Sequence, residues 1–161
     1  MKSNRTGAWP RSREGGFTLI ETTAVIAIMG TLAAAALPRM VGLTGEARYA
    51  ALDNARGALA SVATMAHAKF LINGQATQSF QDSAVTLAHG YPAASQATAE
   101  AAGLGAHYVV LAQAGAMTLV PRAIAGTPKA AHCFLIYEQA SAARPVPRIS
   151  LGDGASADTC A

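Results

Sequence analysis

The chain reads as an α+β protein: a long N-terminal helix, one half apolar and one half amphipathic, packed against a small antiparallel β-sheet head. Three observations lead there. An apolar run of 21 residues, Phe17–Leu37, follows a basic leader. A helical apolar stripe continues beyond it to Asn73. After Gly74 the texture changes to short β-leaning runs separated by Gly, Pro and Ser.

The elements follow in order. Residues 1–16 hold Lys2, Arg5, Arg11 and Arg13 against Glu14, which accounts for the whole formal charge of +3. They read as a processed leader and are excluded from the fold. Without them the side chains are neutral overall. Positive charge ahead of an apolar run favours cytoplasmic retention of that end. It is no sign of nucleic-acid binding, which needs Lys and Arg clustered on a folded face.

Phe17–Leu37 as a helix is about 32 Å long, the thickness of a bilayer core. Gly30 and Pro38 are its weak points, because glycine lowers helix propensity and proline cannot donate to the preceding turn. Leu52, Ala55, Leu59, Val62, Ala66 and Phe70 recur at three- and four-residue steps and define one face, with Arg48, Asp53, Arg56, His67 and Lys69 mostly off it. Asn73-Gly74 is the expected stop, so one helix is expected over Phe17–Asn73. Strands are expected at 84–87, 107–111, 117–120, 132–137 and 146–151. Residues 93–106 suit a short helix or a loop, and 152–161 a polar loop. The expected organisation is leader 1–16, membrane and assembly helix 17–37, amphipathic continuation 38–74, and head 75–161.

Glu21 stands alone among apolar residues. A charge within a membrane-length helix costs at least about 2.5 kcal/mol unless it is paired, which marks it for function. Cys133 and Cys160 form the one cysteine pair. In an exported domain they read as a disulfide and in the cytosol as two thiols, and the membrane segment favours the first. No GxSxG, HExxH or phosphate loop is present, the four histidines are scattered, and the residues provide for no enzyme, cofactor or metal. Asp153 and Asp158 beside Gly152 and Gly154 read as a solvated turn in preference to a calcium loop.

Gly16-Phe17-Thr18-Leu19-Ile20-Glu21, Val25 to Gly30, Leu32-Ala33-Ala34 and Leu37-Pro38 together resemble the N-terminus of type IV pilins. Gly45-Glu46-Ala47-Arg48 and Gly90-Tyr91-Pro92, with their neighbours, are similar to the mannose-sensitive haemagglutinin branch. The resemblance implies a type IV pilin fold and cleavage by prepilin peptidase between Gly16 and Phe17. It also implies N-methylation of Phe17 and pairing of Glu21 with the Phe17 amine of a neighbouring subunit, which sets register. It places Gly30 and Pro38 where pilin helices melt in filaments, and it agrees with a C-terminal disulfide loop. Implied partners are other pilin subunits, prepilin peptidase, the assembly machinery and the inner membrane before assembly, with a surface pilus for adhesion or motility as the destination. Two alternatives remain: a type II secretion pseudopilin, and a secreted soluble domain cleaved by a Sec signal near Ala34-Ala35-Ala36. Thr22 and Thr23 depart from the apolar residues usual after the glutamate, and their hydroxyls can bond back to helix carbonyls.

Overall fold

The computed structural model of the chain describes residues 18–80 and 83–161, with residues 38–42 described by their backbone alone. The chain divides into two compact units, Met1–Pro38 and Arg39–Ala161. Helix α1 (Leu19–Asn73) runs through both. Thr18 precedes its first residue, and Phe17, expected to begin it, lies outside the described residues, as does the whole leader with Trp9.

In the first unit, Leu19–Leu37 is long and apolar enough to cross a membrane, and none of it is buried within the chain. In the second, the stripe expected from the spacing is the buried face: Leu52, Ala55, Leu59, Val62 and Ala66 are all buried. The helix stops where Gly74 takes φ 65° and donates its N–H to the Phe70 carbonyl at 2.7 Å.

Two antiparallel sheets rest on this stripe. The first has the order β1-β2-β3, from β1 (Thr77–Phe80), β2 (Ser83–Ala88) and β3 (Tyr91–Pro92). Phe80 and Val85 join Val62 and Ala66 of α1 in one apolar cluster. The second sheet is the meander β4 (Tyr108–Gln113), β5 (Ala116–Pro121), β6 (Leu135–Glu138) and β7 (Arg148–Leu151). Its inner face, with Met117, Leu119, Leu135 and Tyr137, closes over Leu52, Ala55 and Leu59. Helix α2 (Gln96–Ala101) lies between the sheets in sequence, opened by Ser95, whose hydroxyl accepts the Thr98 N–H. It fills the segment for which the composition allowed a helix or a loop.

The α+β class expected from the sequence is the class observed, with several differences of detail. The head holds two sheets and seven strands among the described residues. The two unexpected strands are β1 and β3. β1 alternates exposed Thr77 and Ser79 with buried Gln78 and Phe80, and Gln78 is tolerated inside because it bonds Asn73 and the Gln75 carbonyl. The strand expected from 132 begins only at Leu135, since 128–131 form a 3-10 turn and His132 and Cys133 close it by donating to the Lys129 carbonyl. β7 begins at Arg148 and not at Val146.

The β2–β3 hairpin turns through His89 and Gly90, with φ 51° and 81°, the pair of positive angles that matches strand twist in a two-residue loop. A side chain at position 90 would also stand 3.0 Å from the Phe70 ring. The tight approach lets Tyr91 stack on His67 of α1 at 4.1 Å between centroids, and His67 Nδ1 reaches the Gly90 carbonyl at 3.0 Å. Tyr91 thereby packs on the helix. His67, read as off the apolar face, is in fact part of the seam.

Candidate functional site

The candidate site is the beginning of α1, where Thr18 and Glu21 satisfy each other. The Glu21 carboxylate accepts the Thr18 backbone N–H and the Thr18 hydroxyl, each at 2.8 Å. In return the Glu21 N–H donates to the Thr18 hydroxyl oxygen at 3.3 Å. This is a capping box: four N–H groups at a helix start have no intrahelical acceptor, and the Thr-x-x-Glu spacing supplies oxygens to them. The carboxylate also lies at the positive end of the helix macrodipole. Glu21 read in isolation is an unpaired charge; in the folded chain Thr18 is its partner. The signal is present in the sequence as Thr18-x-x-Glu21, with the partner three residues upstream of the charge.

The threonines that follow behave as their chemistry predicts. Thr22 Oγ1 donates to the Thr18 carbonyl at 3.3 Å and Thr23 Oγ1 to the Ile20 carbonyl at 3.0 Å. Thr31 Oγ1 does the same to Ile28 at 2.8 Å. Every hydroxyl of this segment is thus bonded within the helix, leaving an exposed apolar exterior that includes Leu19, Ile20, Ile26, Met29 and Leu32.

Gly16 and Phe17, the expected cleavage and methylation positions, lie outside the described residues. Gly30 is within α1, with open space where a side chain would project. At Pro38 the backbone remains helical.

Cys133 and Cys160 are bonded to each other, and both are fully buried. The bridge anchors the last residues beside α1, where Arg48 Nη1 donates to the Cys160 carbonyl at 2.7 Å. Gly45 makes this approach possible: any side chain there would run into the Ala157 carbonyl and stand 2.9 Å from Ala161. Arg48, read as off the helix's covered face, is therefore a contact of the C-terminal loop. In the sequence Gly45 stands out only through the family resemblance, and its physical reason is this close packing. Two tyrosines complete the interior polar contacts. Tyr137 Oη donates to the Pro92 carbonyl at 2.6 Å and Tyr108 Oη to the Ala51 carbonyl at 2.9 Å, and burial raises both phenols above their ordinary range. Asp153 and Asp158 are exposed in turns.

Residues 11–37 match the family model described as the prokaryotic N-terminal methylation motif. The chain carries that motif. It is also similar to the type IV narrow pilus major component PilA5 of Thermus thermophilus, with 46% identity over 54 residues, 34% of this chain. The match spans 47% of that relative, about half its length. No solved structure matches the chain. The motif and the relative together support a type IV pilin, a structural subunit, and agree with a membrane-anchored precursor of a surface pilus.

Proposed function

We propose that the chain is a type IV prepilin. In this reading the apolar helix holds it in the inner membrane, and prepilin peptidase cuts after Gly16 and methylates Phe17. The assembly machinery then adds the subunit to a surface filament with other copies. The observation that carries the reading is Glu21: a carboxylate near the head of the wholly exposed apolar segment Leu19–Leu37, four residues after Phe17. Within apolar packing a lone carboxylate and a lone ammonium each carry a desolvation penalty, and their pairing offsets both. A register that leaves them apart leaves two buried charges, so the pair selects one alignment of neighbouring helices.

The leader ends at the cut, the helices form the filament interior, and the head with its Cys133–Cys160 loop faces solvent. Gly30 and Pro38 are the positions at which the helix would lengthen on assembly, since proline already removes one backbone hydrogen bond. The Gly90-Tyr91-Pro92 segment favours a pilus of the mannose-sensitive haemagglutinin kind over a secretion pseudopilus, and with it a role in surface attachment.

Mass spectrometry of the mature chain tests the processing. The expected species begins at N-methylated Phe17 and retains the Cys133–Cys160 bridge. A chain beginning near Leu37 would instead identify a secreted domain.

A further inference from the structure

We propose that the free edge of strand β4 is a docking surface for the β4 edge of a second copy of this chain, paired antiparallel about Leu111. In the β4–β5 ladder, Val109 faces Val120, Leu111 faces Thr118 and Gln113 faces Ala116. The Arg122 N–H donates to the His107 carbonyl at 2.9 Å, so the hydrogen-bonded positions of β4 are the odd ones. The even ones therefore aim their N–H and C=O away from β5. Tyr108 confirms the phase, because its N–H turns outward to the Leu104 carbonyl at 3.0 Å. Its carbonyl is covered by Arg122 Nη2 at 3.4 Å.

That end of the edge is closed. From Val110 onward it is open: no described strand pairs with β4 on this side. Val110 and Ala112 present two donors and two acceptors there. Natural edges are usually blunted by lysine, proline or a bulge. Here the whole stretch from Tyr108 to Val120 has no charged side chain and no proline.

The occupant follows from the symmetry of those groups. With a second β4 laid antiparallel, Val110 of each copy faces Ala112 of the other and all four outward groups find partners. Leu111 then faces its own counterpart at the close, non-hydrogen-bonded position, where opposed Cα atoms stand about 4.5 Å apart. Leu111 is 54% exposed, an apolar side chain on the outer face that gains cover from its twin. An isologous contact of this kind requires one surface complementary to itself, and an uncharged edge meets no like-charge repulsion. One such contact is small, but many copies displayed together would multiply it.

Cysteine cross-linking of the full-length chain in detergent tests this without requiring filaments. Leu111→Cys, under mild oxidation, should give a reducible dimer, because the close pair lies within disulfide reach. Val146→Cys, at an equally exposed position, is the control for random collision. The Leu111→Cys dimer should exceed the control by about thirtyfold, the factor that the four hydrogen bonds supply at the low end of their net worth. Adding Ala112→Pro to Leu111→Cys removes an outward N–H without touching the β4–β5 ladder, and should bring the dimer down to the control. An intact Cys133–Cys160 bridge in each variant reports that the head has folded. Equal dimer at 111 and 146, or a Leu111→Cys dimer that survives Ala112→Pro, overturns the proposal. Pairing of β4 with some other edge would also leave 111 unlinked to itself and overturn it.

Discussion

The two parts of α1 share one backbone conformation and opposite fates for their apolar residues. Before Pro38, leucine, isoleucine and methionine all face outward, and the segment has no buried face at all. From Leu52 to Ala66 an apolar stripe is buried and two sheets close over it, while Leu43, Met65, Leu71 and Ile72 stay exposed. Helix propensity does not distinguish the two stretches, and both are alanine-rich. The arrangement of apolar residues around the helix does: one stretch is apolar all round, as a helix solvated by lipid or by other helices must be, and the other is apolar along one side. The first is built for contacts outside its own chain and the second for contacts within it.

The sharpest way to break this contrast is to make the same truncation in both parts. Leu59→Ala removes a fully buried side chain between α1 and the β4–β7 sheet, and the head should lose about 2–5 kcal/mol in denaturant unfolding of the detergent-solubilised chain. Leu32→Ala, at an exposed position, should leave that transition within about 0.5 kcal/mol. Equal losses would mean that the apolar part also supports the head.

A smaller effect probes the start of the helix. Thr18→Ala removes the side-chain half of the capping box and should cost about 1 kcal/mol locally. Hydrogen exchange at the amides of the first turn should quicken by about fivefold while the unfolding of the head is unchanged. No change in exchange would show that Glu21 does not depend on Thr18.

Much of this division was legible in the sequence. The stripe from Leu52 to Phe70, the stop at Asn73-Gly74 and most of the later strands followed from spacing and turn chemistry. What escaped was decided by tertiary contact. β1 is three polar residues and Phe80, and it becomes a strand as Phe80 enters the core and Gln78 finds Asn73 and Gln75, which no strand propensity encodes. β3 is two residues long and exists because the His89-Gly90 turn returns the chain along β2. Arg48 and His67 look solvent-facing on a helical wheel, yet each reaches the carbonyl of a residue distant in sequence. At the candidate site the charge at Glu21 was plain and its partner was not. A costly carboxylate suggested an intermolecular solution, and the local one, Thr18 three residues earlier, needs only the capping-box spacing to be seen.

Under the proposed function the two solutions belong to different stages of the protein's life. Thr18 satisfies Glu21 in the single chain, and the amine of a neighbour's Phe17 is its proposed partner in the filament. Glu21→Ala separates them. In cells carrying this variant, the proposed function predicts a chain still cut after Gly16, a head with its Cys133–Cys160 bridge and normal unfolding, and no filaments by electron microscopy. Abundant filaments of normal appearance from the Glu21→Ala chain would contradict the account, because a register set by buried pairing cannot outlast the loss of one charge.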